Sequence, residues 1–326
     1  VTVDNHTILI TGGSGTFGQA CIQYALAAGA RRVICLSRGE HRQAALRQAI
    51  PDPRLDCWIG DVRDVERLRW AFRVHPDVVI HAAALKRVDV CDAEPDEAFK
   101  TNVLGTRLVV QEAILANIPR VLVISSDKAT SPETTYGKTK AAAEDLAIGL
   151  NAVRGCSLTR ISVARYGNVL GSAGSFLETL LQARQTGDPI TITDPQATRF
   201  WWSVDDAVRF VAWVLTVMQG GEIFVPKLAS AKVVDLARAL APQSAQIVTG
   251  MRGSEKLHEA MINATEARYA YERPEAYVLY PKQGQPWSPP PQGVPVGDGF
   301  TYASDGDPLP VSVEEALEVL PCALPS

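Results

Sequence analysis

TILITGGSGTFG, residues 7–18, passes from a β-branched apolar run straight into three glycines spaced three apart, Gly12, Gly15 and Gly18. An apolar run without polar alternation reads as a strand buried on both faces, as in a parallel sheet. Glycines after it lack Cβ atoms, so backbone N–H groups and the start of the next helix approach a pyrophosphate closely. A glycine triplet alone is often only a tight turn. Set between a first strand and a helical pattern that runs to Ala28, it reads as a dinucleotide loop, with Ser14, Thr16 and Phe17 beside the glycines.

The same alternation continues down the chain. Apolar runs at 32–36, 55–59, 77–84, 120–126 and 158–164 predict further strands, with helical patterns between them, the longest over 97–116. The expected fold class is α/β, a Rossmann-type doubly wound parallel sheet whose ligands bind beyond the carboxyl ends of the strands. After about Tyr166 the alternation loosens. Residues 1–165 are assigned to the dinucleotide-binding Rossmann domain, with about 203–227 returning to it, and 166–280 mainly to a smaller substrate-binding lobe. Within these segments short strands are expected at 189–194 and 222–226, and helices at 204–217, capped by Ser203, and at 233–240. Residues 281–326 form a Pro/Gly-rich tail, a surface loop or an arm to a neighbour, with a terminal helix over 310–320.

The second strand ends in Ser37 and Arg38, without the acidic residue that holds a ribose 2′-hydroxyl. A hydroxyl with a guanidinium suits a 2′-phosphate and favours NADP over NAD; the bland alternative is a solvated loop arginine. After the third strand, Asp61 is placed to accept from an adenine amino group and Val62 to pack on its ring, while Asp64 reads as the N-cap of the helix through Phe72. The fourth strand leaves in small residues, Ala82, Ala83 and Ala84, as close approach of backbone to a cofactor requires, and Lys86 follows on the nicotinamide side. Asn102, polar among apolar neighbours, reads as a buried side chain bonding loop backbone near Ser125.

SSDKATSPETTYGKTK, residues 125–140, carries the chemistry. Tyr136 and Lys140 stand four apart on one helix face, and an ammonium beside a phenol favours the phenolate, a base near neutral pH. Asp127 and Lys128, at a strand's carboxyl end behind Ser126, add a second acid/base pair, although a lone DK dipeptide is usually a surface turn. An oxidation coupled to an elimination uses both pairs.

Composition bounds the alternatives. With 46% hydrophobic and 21% charged residues the chain suits a folded globular protein, and 32 basic against 36 acidic residues, without a dense basic block, argue against nucleic acid and anionic membrane as partners. Six scattered cysteines without paired spacing suit free thiols, and His258 has no partner at metal spacing, so no metal is expected. No leader and no run of membrane-spanning length is read, so the expected location is cytoplasmic. TRFW at 198–201 puts Arg199 among aromatics, as core packing or as a wall for a base and a phosphate. GMRGSEKLHEAM at 250–261 is a charge run expected to be a solvated loop and helix face.

TGGSGTFG, GDVRD, HAAALK, KTN, SSDKA, YGKTK, RYGNV, TRFW, GGEIFVPK and GSEKLHE, in this order from about Thr7 to Met261, resemble the extended short-chain dehydrogenase/reductases. Within them the chain is similar to the configuration-inverting UDP-N-acetylglucosamine 4,6-dehydratases. The resemblance implies recycling NADP, UDP-N-acetylglucosamine or a close UDP-HexNAc as substrate, a homo-oligomer, and commitment to a deoxyamino sugar. By the same resemblance Tyr136 with Lys140 takes the fourth hydroxyl's proton, Lys128 the proton of the fifth carbon, Asp127 protonates the departing sixth hydroxyl, and Ser126 holds the fourth oxygen. Lys86 borders the sugar; Asn168, Arg199, Arg252 and Glu255 shape the nucleotide and diphosphate site. Tyr136 also separates the chain from membrane-attached, configuration-retaining relatives with methionine at that place. RVDVCDAEP after HAAALK and GMRGSEK depart from the family pattern and leave the N-acyl group and exact sugar open. A 4-epimerase of the same fold needs Tyr136 and Lys140 without Asp127-Lys128, and a non-catalytic NADP-binding regulator needs neither pair.

Overall fold

A computed structural model of the chain describes residues 3–169, 176–251, 253, 255–281 and 291–306. Its frame is a ten-stranded sheet. β1 (Thr7–Thr11) lies between β2 (Arg32–Ser37) and β4 (Val78–His81), with β3 (Leu55–Ile59) outside β2. On the other side follow β5 (Arg120–Ile124) and β6 (Arg160–Ala164), all pairing in parallel. Every residue of β1 is buried, because helices cover both faces; the unbroken apolar run is the sequence's record of that. The helices on the way are α1 (Thr16–Ala27), α2 (Glu40–Ala49), α3 (Val65–Phe72), α4 (Val88–Ala93), α5 (Pro95–Phe99), α6 (Gly105–Leu115) and α7 (Thr135–Ala152). Asp64 caps α3, accepting from the Arg67 amide at 3.0 Å.

The expected helix over 97–116 is helical throughout but carries a π-helical turn, Lys100–Leu104, between α5 and α6. That wide turn aims Asn102 inward, and the residue is 1% exposed. Its amide accepts from the Leu85 amide at 2.8 Å and donates to the Leu85 carbonyl at 2.9 Å and to Thr139 at 3.0 Å. The loop it fastens is therefore the one after β4, not the one at Ser125.

Beyond β6 come β7 (Asn168–Val169), α8 (Phe176–Thr186), β8 (Ile190–Ile192), β9 (Thr198–Trp202) and α9 (Val204–Val217), the last capped by Ser203, which accepts from the Asp206 amide. β10 (Ile223–Pro226) returns to the large sheet in parallel beside β6. β11 (Ala229–Lys232) joins β9 and β7 in a three-stranded sheet, α10 (Val233–Leu240) follows, and β12 (Gln246–Val248) pairs with β8. Leu177, Leu180, Ile190, Leu236 and Leu240 close a separate small core there.

The described segments after residue 260 do not stand apart from this body. β13 (Ala260–Ile262) pairs with β17 (Tyr302–Ala303), while β14 (Ala270–Glu272), β15 (Ala276–Leu279) and β16 (Val294–Pro295) extend the large sheet antiparallel beyond β10. Residues 291–306 thus pair within their own chain rather than forming a free arm. The rest of the expected tail, the terminal helix over 310–320 and Cys322 lie outside the described residues. Cys21, Cys35, Cys57 and Cys91 are free and buried, and Cys156 is free and exposed. No described helix is long and apolar enough to cross a membrane, and no cluster of metal-ligating side chains occurs among the described residues.

Candidate active site

At the carboxyl end of β1 the chain turns through Gly12, whose φ of +71° favours glycine. A Cβ there would fall within 2.8 Å of the Ala83 backbone. The glycine and the small residues after β4 are therefore one requirement, two chains passing backbone to backbone. Ala82 and Ala83 donate to Thr11, at 3.1 and 3.3 Å. No side chain caps α1 at Gly15, so the helix presents its first turn and the positive end of its dipole at this crevice. Ser14 is buried, and Phe17 stacks toward Tyr166 with ring centroids 5.8 Å apart. A diphosphate fits such a cradle, since a Cβ would fill it and backbone N–H groups line it.

The residues expected around an adenosine are placed less simply. Ser37 is buried in β2, and its hydroxyl accepts from Gln43 at 2.9 Å, so it faces inward in this structure. Arg38 is half exposed and reaches Asp61 at 3.8 Å. Asp61 is already gripped by the Arg63 guanidinium, at 2.8 Å, and Arg63 also holds Glu97. Burial opposes the Asp61 charge, but the Arg63 bonds outweigh it and hold the carboxyl below its ordinary value. Val62 is 5% exposed and packs against Gly105 rather than lying open. Ala84 is partly buried, and Lys86 is exposed on the loop after β4, its amine lowered by burial with Arg42 adding to this and Glu178 opposing it.

Beyond β5 the chain makes a tight 3₁₀ turn, Asp127–Ala129, that α7 packs against. Ser126 donates to Asp127 at 2.7 Å, and Asp127 is 1% exposed. The Lys128 ammonium meets Asp127 at 3.2 Å, Asn168 at 3.2 Å and Glu259 at 3.3 Å. Burial alone would lower its pKa; Asp127 and then Glu259 outweigh that and hold the ammonium above its ordinary range, against Arg199. The surface-turn reading of Asp127-Lys128 is excluded by this burial.

Tyr136, in the first turn of α7, is partly buried, and burial pushes its phenol up to about 12. Lys128, and then the Ser126 hydroxyl, pull it down. Lys140 is the residue expected in that role from its spacing to Tyr136. Instead the Lys140 ammonium donates to the Ile124 carbonyl at 2.5 Å, and burial lowers it to about 8, with Glu144 opposing. Tyr136 and the Asp127-Lys128 pair thus form one electrostatic unit, Lys128 lowering the phenol and Asp127 raising it.

The region 250–261 corrects the expectation of a solvated helix face. Its described residues contain no helix; they are laid along the site and end in β13. Lys256 donates to the Thr130 carbonyl at 2.7 Å, His258 bonds Thr198 at 2.8 Å, and Glu259 is 4% exposed beneath Lys128. Arg199 on β9 donates to Glu255 at 3.0 Å and to the carbonyls of Thr198 and Leu257, and Glu255 also accepts from Thr193. Asn168, expected at the nucleotide, sits against Lys128 instead. Arg252 lies outside the described residues. Glu259 is the site residue that sequence reasoning missed; the one signal was an acid directly preceding the apolar run AMI.

The chain is 39% identical over 333 residues to the UDP-N-acetylglucosamine 4,6-dehydratase (inverting) of Campylobacter jejuni, covering 97% of this chain and 98% of that protein. It is 36% identical over 270 residues to the UDP-glucose 4-epimerase of Rickettsia massiliae, covering 80% and 79%. Among solved structures it is similar to Pen from Bacillus thuringiensis, with a TM-score of 0.87, 29% identity, and 98% and 99% coverage. It is also similar to DesIV, a dTDP-glucose 4,6-dehydratase from Streptomyces venezuelae with NAD and TYD bound, with a TM-score of 0.71, 25% identity, and 77% and 86% coverage. A family model described as polysaccharide biosynthesis protein matches residues 8–281, and the chain belongs to that family.

Proposed function

We propose that the protein is a configuration-inverting UDP-N-acetylglucosamine 4,6-dehydratase that uses bound NADP and forms a UDP-4-keto-6-deoxy sugar. The observation that carries this is the buried Asp127-Lys128 pair, coupled electrostatically to Tyr136. An epimerase has work for the tyrosine alone, whereas elimination needs an acid and a base on neighbouring carbons. The relatives named as dehydratases support the same reading.

The loop Gly12 to Gly18, with Ala82, Ala83 and Ala84, would hold the dinucleotide, and Arg38 is the cation available to a 2′-phosphate. Held there, the cofactor would supply the hydride acceptor for the fourth carbon and the hydride donor for the sixth, with no net redox change. Tyr136 rests as a phenol and first releases its own proton to solvent; the phenolate, favoured by the Lys128 ammonium, then takes the proton of the fourth hydroxyl while Ser126 holds that oxygen. The ketone then acidifies the hydrogen on the fifth carbon. Lys128 rests as an ammonium, so it first passes a proton to Asp127, 3.2 Å away. That single transfer prepares both partners, a neutral amine to take the C5 proton and a carboxylic acid to protonate the departing sixth oxygen. Once water has left, Lys128 is again an ammonium and Asp127 a carboxylate, the resting pair. A proton delivered to the opposite face of C5 completes the inversion.

Arg199, Glu255 and Arg252 are assigned to the nucleotide and Lys86 to the sugar's border, a division supported by the Arg199–Glu255 ion pair beside the site. Exposed apolar side chains at Phe99, Leu104 and Leu115 support a homo-oligomer, and buried free thiols are in keeping with a cytoplasmic enzyme.

Purified protein mixed with UDP-N-acetylglucosamine in deuterated water, without added cofactor, tests the reading by proton NMR. A new methyl signal with deuterium at C5 is expected; the C4-epimeric sugar alone would mean an epimerase, and an unchanged substrate a regulator. Lys128→Ala should abolish product while cofactor stays bound, and a fully active variant would refute the role given to Lys128.

A further inference from the structure

Buried carboxylates in this protein normally have both oxygens occupied. Glu144 bonds Arg165 with each of its oxygens, and Glu222 is held by Ser162 and the amides of Gln219 and Gly220. Glu259 differs. One oxygen meets the Lys128 ammonium at 3.3 Å; the other is buried and finds no hydrogen-bond partner among the described residues. Its backbone, not its side chain, fastens the segment, through bonds of 3.0 and 2.8 Å to Ser304. Glu255 also leaves one oxygen unbonded, but its other oxygen serves both Arg199 and Thr193. A carboxylate desolvated at this expense, with Lys128 as its single side-chain partner, is there for that lysine.

The dehydratase reading explains why a lysine should need it. Inversion requires that the proton removed from C5 not go back to the same face. Asp127 alone is a poor guard, because it alternates between acid and carboxylate during the elimination. A second, fixed carboxylate stabilises positive charge on Nζ as the C–H bond breaks and keeps the ammonium formed. We infer that Glu259 is the positioning residue that makes proton removal at C5 one-way, holding the Lys128 ammonium as a second carboxylate in addition to Asp127 so that the new C5 proton arrives on the other face. The step balances: the C5–H bond breaks, an N–H bond forms on Lys128, and the electron pair moves into the C5–C6 double bond as O6 leaves with a proton from Asp127.

The groups facing Lys128 are Asp127 from its own turn, Tyr136 from α7, Asn168 from β7, Arg199 from β9 and Glu259 before β13. Loss of the Glu259 charge leaves Asp127 as the remaining carboxylate on the ammonium, which then loses its proton at lower pH. The inference rests on the dehydratase reading, and its test keeps the two separate. Wild type, Glu259→Gln and Glu259→Asp are compared in deuterated water by NMR, with product formation followed across pH. Wild type should give one C5-inverted product carrying deuterium at C5. Glu259→Gln, which is isosteric, should be slowed about tenfold or more and should release a fraction of C5-retained product carrying protium. Its alkaline loss of activity should move down by about one to three pH units. Glu259→Asp should restore the single stereoisomer in part. A Glu259→Gln enzyme that gives only inverted product with an unmoved alkaline limb, at whatever rate, overturns the inference. A wild type that makes no 4-keto-6-deoxy sugar overturns the dehydratase reading instead.

Discussion

Gly137→Ala opposes two effects of known sign. Gly137 sits buried in the first turn of α7, where its amide donates to the Thr134 hydroxyl at 3.0 Å. In a helix, alanine is favoured over glycine by about 1 kcal/mol. Here, however, a Cβ would come closer than 3.0 Å to the Lys128 carbonyl oxygen and 3.2 Å from Pro132 Cβ, and the first of these is backbone that cannot rotate away. Overpacking of this kind costs about 1–3 kcal/mol, so the net destabilisation is about 0–2 kcal/mol. The turn that must retreat is the one carrying Asp127 and Lys128, by a distance on the order of 1 Å, and misplacement on that scale costs about a hundredfold in rate. The expected outcome is a kcat lowered about a hundredfold with a Tm displaced by only a few degrees, read by NMR of the 4-keto product and by calorimetry. Gly149, exposed in the same helix with nothing within 4 Å of a Cβ, supplies the control: Gly149→Ala should gain about 0.5–1 kcal/mol and keep full activity. A Gly137→Ala enzyme as active as Gly149→Ala would refute the argument that α7 holds the catalytic turn by close backbone contact.

Arg165, 3% exposed in its side chain, pairs with Glu144 at 2.6 Å and Glu266 at 2.8 Å, so Arg165→Met should cost about 3–5 kcal/mol in urea unfolding by leaving the buried Glu144 carboxylate unpaired beside the partly buried Glu266. Lys140 has its amine lowered by burial from 10.5 to about 8. Between these values the unfolded chain binds more protons, so this group raises stability with increasing pH, by roughly 3 kcal/mol over the window. The wild-type minus Lys140→Met difference in unfolding free energy should therefore climb from pH 8 to 10.5, and a flat difference would refute the buried charge. Arg38→Ala should weaken NADP binding about tenfold or more while leaving NAD nearly unaffected, measured by calorimetric titration; equal losses for both would remove Arg38 from the 2′-phosphate.

Much of the fold was legible because its signals are local. The unbroken run of β1 and the glycines after it belong to one stretch, and Asp127, Lys128 and Tyr136 follow one strand end within ten residues. What escaped depends on contacts between distant segments or on geometry that shares a helix's periodicity. The π turn at Lys100–Leu104 leaves the apolar pattern of a helix intact, so it could not be seen, although it is what sends Asn102 to Leu85. Lys140 stands at the right spacing from Tyr136, yet spacing fixes a helix face and not the direction of a long side chain, which here ends on the Ile124 carbonyl.

The charge run at 250–261 is the instructive failure. Charged residues near one another are most often solvated, and only the path of the chain along β9 and β17 buries Glu259 beneath Lys128. Asn168 reaches the same lysine across forty residues of sequence. The N-terminal half therefore carries the reacting groups in a form that a local motif reveals, while later segments set their charge state in a form that it does not. A lysine named as a base from its motif alone is a neutral amine by assumption. In this site two carboxylates hold it as an ammonium, so on the proposed mechanism the proton first moves within the Asp127-Lys128 pair, and the stereochemical outcome passes to whichever group keeps hold of that charge afterwards.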